Sequence, residues 1–583
     1  IWHTTGSGKT MTSFKSAQLI ANSKDADKVV FLLDRIELGT QTLEQYRNFA
    51  GDGNDVQATE HTGVLVDNLK STNPANTLIV TSIQKMSRLK DEVDGLKAHD
   101  LEKMRAKRIV FIIDECHRST FGDMLTDIKK SFAGAVFFGF SGTPIQRENI
   151  KKENTTTDVF GNELHRYSIA DGIRDKNVLG FDPYKVMTYR DRDLRQAVAL
   201  EKARADSPAE VFADPKKTKV YNRYMNDVTM AGYRDNSGVY VTGIEDHLPN
   251  AQYQRDEHRN AVIQDIADNW VNLSQGSKFH AIFATSSIEE AIEYYRLAKQ
   301  ALPSLRMSAL FDPNEDNENP SAFKSDGLVE LLKDYNQTFG QNFDLGSHGK
   351  FKKDVAARLA HKKPYTRIQT EPDNQIDLLI VVNQMLTGFD SKWVNTLYLD
   401  KKLEYENIIQ AFSRTNRLFG PDKPFGTIRY YRKPHTMERN IAAAVKLYSG
   451  DRPIGLFADR LPGNIDRMNA CFTAICAIFD AAGIEDFRKL PDDLSERAAF
   501  AKEFHEFSSI LEAAKIQGFT WEQTRYKSED GMTTVTYAIS HEQYLTLLQR
   551  YKELDTGGSA AGGAVPFDID SHITEIDTGK INA

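Results

Sequence analysis

Near its start the chain carries T-T-G-S-G-K-T, Thr4 to Thr10, preceded by Ile1, Trp2 and His3 of a short strand-like run. Glycines at positions 6 and 8 let backbone N–H groups converge on one point, and a following helix adds the positive end of its dipole, an arrangement suited to an anion such as phosphate. Thr5, Gly6, Ser7, Gly8, Lys9 and Thr10 are therefore expected to cradle the phosphates of a nucleoside triphosphate. Lys9 would neutralise the β- and γ-phosphates and the Thr10 hydroxyl would hold Mg²⁺. His3 stands where the G-x-x-x-x-G-K-[ST] pattern has its first glycine, so this is a shortened form of that loop.

A phosphate loop needs a partner strand that delivers carboxylates to the same edge of a sheet. R-I-V-F-I-I-D-E-C-H-R-S, Arg108 to Ser119, is an apolar run ending in two acids, the pattern of a buried parallel strand. Asp114 is placed to reach the Mg²⁺ shell and Glu115 to orient and deprotonate an attacking water, with His117 coupling the nucleotide to a neighbouring domain. Taken alone, D-E-x-H is also what a charged loop after a strand looks like. V-F-F-G-F-S-G-T-P, Val136 to Pro144, is a further buried strand ending in a small hydroxyl turn, whose Ser141 and Thr143 can hydrogen-bond the Asp114–His117 segment.

The strands K-V-V-F-L-L-D-R (Lys28 to Arg35) and T-L-I-V-T-S-I-Q-K (Thr77 to Lys85) also end in polar residues. In open α/β sheets the carboxyl ends of strands form the ligand crevice. Asp34, Arg35, Thr81, Ser82, Gln84 and Lys85 are accordingly candidates for contacting a nucleic-acid backbone, although each singly is equally an ordinary polar strand end.

A second sheet begins near residue 279 with F-H-A-I-F-A-T-S-S, followed by a helical pattern from Ile288 to Ala298. I-D-L-L-I-V-V-N-Q-M-L-T-G-F-D, Ile376 to Asp390, is a strand running into a loop. I-I-Q-A-F-S-R-T-N-R, Ile408 to Arg417, reads as a helix on which Gln410, Arg414 and Arg417 fall at i, i+4 and i+7 and share one face. Two guanidiniums facing the first domain suit arginine fingers that stabilise charge on a transferred γ-phosphoryl group.

The order T-G-S-G-K-T, D-E-C-H, S-G-T-P, L-T-G-F-D, Q-x-x-S-R-x-x-R resembles the superfamily 2 helicase motors. In its particular wording, and in D-V-F-G-N-E-L-H-R-Y-S-I-A-D-G-I-R-D (Asp158 to Asp175), it is similar to the R, or HsdR, subunit of type I restriction-modification enzymes over residues 1 to about 445. The resemblance implies an α/β fold of two RecA-like lobes and a mainly helical C-terminal region. It also implies an ATP·Mg²⁺-driven motor that pulls double-stranded DNA toward a complex held at a recognition site by methyltransferase and specificity subunits. In that comparison Thr387, Gly388 and Asp390 link nucleotide to DNA grip, and Gly388, Asp390 and Gln410 join the nucleotide site. No strand-borne D…E-x-K cluster of the family's nuclease domain stands out, so the chain is expected to be part of a larger subunit, with cleavage carried out elsewhere in it. Two alternatives are another superfamily 2 helicase acting on RNA or DNA, and a nucleotide-switched scaffold that binds without turnover.

The 583 residues suggest three or four domains, and 40% hydrophobic with 27% charged residues is ordinary for a globular protein. No apolar run has the length to span a bilayer and no signal peptide stands out, so a cytoplasmic setting is expected. A net charge of −8 argues against a generally basic surface, leaving nucleic acid to be gripped locally in a groove. Cys116, Cys471 and Cys476 form neither a disulfide framework nor a metal-ligand spacing. The expected organisation is a first lobe over 1–185, a helical connector over 186–274, a second lobe over 275–445 with a polar insertion from Phe311 to Pro320, a helical domain over 446–555, and a Gly/Ala/Ser-rich linker and tail over 556–583.

Overall fold

The computed structural model describes residues 1–33, 56–58, 62–89, 98–117, 121–150, 154–312, 322–450, 457–527 and 534–556. Asp34, Arg35, most of the 311–320 insertion and the tail after 556 lie outside the described residues.

Two parallel sheets carry the molecule. In the first, the strands Val56–Ala58, Leu78–Ser82, Lys28–Leu33, Ile109–Ile113 and Val136–Gly139 lie side by side in that order, every neighbouring pair parallel. Lys28–Leu33 is buried at every position, as a strand covered by helices on both faces requires. The short strand Trp2–His3 extends this sheet: His3 N–H donates to Ser141 O at 2.8 Å and Ser141 N–H to Ile1 O at 3.1 Å, while Arg166–Tyr167 pairs on its other side. The phosphate-loop segment thus leaves the sheet beside the strand that ends in S-G-T-P.

The second sheet has the order Met307–Leu310, Leu378–Val381, His280–Thr285, Val394–Asp400, Gly426–Tyr430, Phe181–Lys185, again all parallel. Its last strand corrects the boundary expected at 185: Phe181–Lys185 pairs in full register with Gly426–Tyr430, so the first lobe ends before it. Pro183, which lacks an N–H, is tolerated because this is an edge strand. The helix Asp256–Ser274, expected in the connector, likewise packs Val262, Ile263, Ile266 and Trp270 into the core of the second sheet. It is pinned there by His258 against the fully buried Asp400 at 3.0 Å. The remaining stretch is mainly helical among the described residues, apart from a short antiparallel pair, Tyr233–Arg234 with Tyr240–Val241.

Beyond residue 457 the helices Leu461–Ala481, Leu494–Ile516 and His541–Thr556 form a separate aromatic-rich core, joined by the small antiparallel pair Arg525–Lys527 and Thr534–Thr536. This domain covers the edge of the second sheet: Arg460 and Gln517 both bind the buried Asp182 at 3.1 Å. Among the described residues no helix is long and apolar enough to cross a membrane.

Candidate functional site

The loop from Thr4 to Gly8 adopts the backbone its glycines were expected to permit. Gly6 and Gly8 have φ of +98° and +99°, a region that L side chains adopt rarely. Gly8 immediately precedes the helix Lys9–Ser23, whose buried Phe14 and Ala17 lock it onto the first sheet. Thr10 follows Lys9 in the first turn. Gly142 of S-G-T-P packs so closely beneath the loop that a Cβ on it would meet the Thr5 backbone nitrogen at 3.0 Å. His3, at the position of the missing glycine, is itself part of the loop. Its Nδ1 lies 2.8 Å from Ser7 Oγ, which donates to Thr4 O at 2.9 Å. With its single proton so used, Ser7 accepts from His3, which makes His3 the Nδ1–H tautomer.

Lys9 is 6% exposed, and its ammonium lies 2.9 Å from Asp114 Oδ1 and 2.5 Å from Glu115 Oε1. Burial alone would weaken the Lys9 charge, but the two carboxylates outweigh it and hold its pKa above the ordinary lysine value. Burial likewise pushes the Asp114 carboxyl up, with Lys9 opposing it. Asp114 leaves the strand Ile109–Ile113 at its carboxyl end, as predicted, and its Oδ1 accepts the Glu115 N–H at 2.9 Å. Glu115 sits in the left-handed region at φ +50°, a strained conformation for a non-glycine residue that turns its side chain back toward Lys9. Cys116, next along the chain, packs under Gly139, and burial pushes its thiol up to about 12, consistent with packing rather than chemistry.

Across the interface of the lobes the motifs meet through one hydrogen-bonded chain. His117 Nδ1 lies 2.8 Å from Ser141 Oγ, and Gln410 Nε2 lies 2.7 Å from His117 Nε2 and 2.8 Å from Thr143 Oγ1. Ser141 is thus bonded to the Asp114–His117 segment as expected, whereas Thr143 reaches the second lobe instead.

The arginines depart from the single helical face expected of them. The helix is Glu406–Phe412 and stops there. After it the backbone tightens to i→i−3 bonds, with the Arg414 N–H on the Ala411 carbonyl at 3.1 Å and the Thr415 N–H on that of Phe412 at 2.9 Å, while the Ser413 and Thr415 hydroxyls add bonds to the Ile409 and Phe412 carbonyls at 2.6 and 2.9 Å. Arg414 and Arg417 therefore lie in the segment after the helix and point to different places. Arg414 is 4% exposed, binds the carbonyls of Gln410 (3.0 Å) and Phe389, and is brought down to about 10 by burial and then by the Arg417 charge. Arg417 binds Asp390 and comes so close to the phosphate loop that a Cβ on Gly6 would collide with its guanidinium. Phe389 and Asp390 belong to the L-T-G-F-D loop, where Gly388 has φ +74° and Thr387 and Gly388 are exposed. One loop thus holds both arginines.

Of the nucleic-acid candidates, Thr81 and Ser82 are buried at the carboxyl end of Leu78–Ser82, with Gln84 and Lys85 half-buried beyond them. The Ser82 hydroxyl is occupied in accepting the Lys85 N–H at 3.3 Å, capping the helix Ile83–Ser87. His3 escaped sequence reasoning as a loop component; its only signal was its place in the phosphate-loop pattern.

Comparison with known proteins bears on the whole chain. Residues 1–219 match the SWI2/SNF2 ATPase family model, 277–433 the model of type I restriction enzyme subunit R domain 3, and 456–583 that of the type I restriction and modification enzyme subunit R C terminal. The likeness therefore does not fade near residue 445. A type I restriction enzyme endonuclease subunit of Staphylococcus saprophyticus is 32% identical over 595 aligned residues, 100% of this chain and 56% of the relative. One of Staphylococcus aureus is 37% identical over 441 residues, 74% of this chain and 41% of the relative. The chain thus spans about half the length of the curated relatives it matches. Among solved structures, a fragment assigned to the HsdR subunit of a type I restriction enzyme from Vibrio vulnificus superposes with a TM-score of 0.41 at 16% identity, covering 75% of this chain and 60% of its own. Dbp5 of S. cerevisiae bound to RNA and ADP BeF3 superposes with a TM-score of 0.40 at 12% identity, covering 77% and 83%. With R-subunit models matching its second lobe and its C-terminal domain, and a relative aligned along all of it, the chain belongs to the family of type I restriction enzyme R subunits.

Proposed function

We propose that the chain is the ATP-hydrolysing motor of a type I restriction enzyme R subunit, which pulls double-stranded DNA toward a complex containing the methyltransferase and specificity subunits. We assign DNA cleavage to a nuclease domain outside these residues. The observation that carries the reading is the meeting, at one point, of the buried Lys9 with Asp114 and Glu115 and of Arg417 from the second lobe with Gly6.

The residues fit a nucleoside triphosphate: left-handed glycines expose the loop N–H groups, Lys9 supplies a buried cation, and Thr10 and Asp114 offer the hard oxygen donors that Mg²⁺ takes. When bound, Mg²⁺ would neutralise phosphate charge. Glu115 orients and deprotonates the attacking water, Arg417 stabilises the charge that builds on the transferred phosphoryl group, and Arg414 braces the loop that carries it. The His117–Gln410 contact links this chemistry to the second lobe, where Thr387 and Gly388 lie exposed. The acidic chain grips DNA through local contacts of the two lobes.

The test is ATP hydrolysis by the purified chain alone and with linear duplex DNA, single-stranded DNA or RNA. Stimulation by duplex DNA is expected; stimulation by RNA alone would replace the reading with that of an RNA helicase, and tight nucleotide binding without any turnover would make the chain a switch.

His3 offers a finer prediction. His3→Leu removes the donor to Ser7 and is expected to raise the KM for ATP about fivefold, the worth of one hydrogen bond, with kcat within twofold. His3→Asn, whose amide N–H can take the place of Nδ1–H, is expected to restore the KM. Equal KM values for His3→Leu and the unaltered chain would remove His3 from the loop's function.

A further inference from the structure

The lobes meet at a second buried place that none of the motor chemistry above uses. Asn149 ends the short turn Arg147–Asn149, just after S-G-T-P, and is 6% exposed. Its Oδ1 accepts the Gln146 N–H at 2.7 Å, and its Nδ2 donates to Glu406 Oε2 and to the Tyr448 hydroxyl, both at 2.8 Å. Tyr448 in turn donates to the carbonyl of Pro144 at 3.1 Å, and its ring stands edge-on to Trp2, in the strand before the phosphate loop, at 6.1 Å between centroids. Glu406 opens the helix that carries Gln410, and Tyr448 closes the helix Pro434–Tyr448, the last of the second lobe.

Every bond in this joint has a fixed direction. Both Nδ2 protons of Asn149 are committed, and the Tyr448 hydroxyl accepts from Asn149 while donating to Pro144. Separating the partners would leave a carboxylate, an amide and a phenol buried with fewer bonds, which costs more than the bonds themselves are worth. The same turn and the same helix are also tied at Thr143–Gln410. Two points of attachment leave only rotation about the line that joins them. A shift of the S-G-T-P turn must then carry the Gln410 helix, and with it the segment that places Arg417 against Gly6.

We propose that Asn149, Glu406 and Tyr448 are positioning residues for ATP hydrolysis: their buried joint makes the S-G-T-P turn and the arginine-bearing segment move as one body. The proposal rests on the motor reading for its kinetic consequence, but its mechanical content can be read without turnover.

Tyr448→Phe deletes one hydroxyl and keeps the ring on Trp2, so the fold is expected to survive at a modestly lowered melting temperature, because the Asn149 amide and the Pro144 carbonyl each lose a buried partner. The kcat for ATP is expected to fall about tenfold, the effect of breaking a buried hydrogen-bonded pair, with KM changed less than twofold. Asn149→Ala should do the same, and the double variant should be no slower than either single one. In an Arg417→Ala background Tyr448→Phe should have no further effect on kcat, because it acts through that arginine. An equal fall in both backgrounds, or an intact kcat, would reduce the joint to a brace of the fold. Spin labels at the exposed Lys15 and Gln300 positions, with the native cysteines replaced, read the distance between lobes directly. Tyr448→Phe is expected to broaden its distribution, and an unchanged distribution would overturn the joint whether or not the chain hydrolyses ATP. A chain that shows the broadening but no turnover would instead overturn the motor reading.

Discussion

Lys9→Ala is expected to lower ATP turnover by at least a hundredfold, the scale of losing one pre-organised charge in a water-poor site, and to weaken nucleotide binding with it. Lys9 is 6% exposed and its ammonium lies against both Asp114 and Glu115, so its removal deletes the cation meant for the phosphates and leaves two acids facing the same space. Their repulsion is relieved by protonation rather than by unfolding. Burial already pushes the Asp114 carboxyl up, with Lys9 opposing the shift, and loss of the lysine drives it further in the same direction. The fold is therefore expected to persist, with an unchanged circular dichroism spectrum. Glu115→Gln separates binding from chemistry, because it keeps the Lys9–Asp114 pair and the shape of the site while removing the base: turnover should fall as far while nucleotide affinity is retained. Phosphate release and nucleotide titration on the two variants decide the matter. Normal turnover by either would falsify the assignment of these residues.

Arg417→Ala carries the second large effect, a loss in kcat of about a thousandfold or more, the range over which an arginine finger acts. The structure gives a reason to choose this arginine over Arg414. Arg417 reaches the phosphate loop from the opposite lobe, at a spot where even a methyl group on Gly6 would strike it. Arg414 turns inward, its guanidinium spent on two backbone carbonyls. The two substitutions should consequently fail in different ways. Arg417→Ala should leave the melting temperature and the KM for ATP near those of the unaltered chain, since an interaction made only as charge develops contributes little to substrate binding. Arg417→Lys should rescue poorly, because an ammonium lacks the planar fork that binds Asp390 on one side and faces the loop on the other. Arg414→Ala should lower stability, since the Gln410 and Phe389 carbonyls then lose a buried donor. Equal kcat losses with equal destabilisation in the two variants would show that the arginines act together as a structural unit.

Much of this protein was legible as sequence because the signals are local. The φ of +98° and +99° at Gly6 and Gly8 is a conformation open to glycine and to little else, so T-G-S-G-K-T announces its own loop. An apolar run such as Lys28–Leu33, buried on both faces, can only be an interior strand of a covered sheet, and a pair of acids at the end of another such run places Asp114 and Glu115 at the sheet's carboxyl edge. The order of the motifs then led to two α/β lobes and to the family that the comparisons bear out.

The tertiary structure decided what depends on residues far apart along the chain. A spacing of i, i+4 and i+7 put Gln410, Arg414 and Arg417 on one helical face, but the helix ends at Phe412, the Arg414 guanidinium rather than its N–H takes the Gln410 carbonyl, and the arginines part. Phe181–Lys185 looks like the close of the first lobe until its pairing with Gly426–Tyr430 assigns it to the second, because strand length and hydrophobicity carry no information about which sheet a strand joins. The bond between Gln410 and His117 and the joint of Asn149 with Glu406 and Tyr448 link residues separated by 293, 257 and 299 positions. No periodicity records such a separation. A short-range pattern reflects the conformational preferences of a few neighbouring residues, whereas the partner of a buried polar side chain is chosen by the packing of whole lobes, and it is that choice that brings the arginine to the phosphate loop.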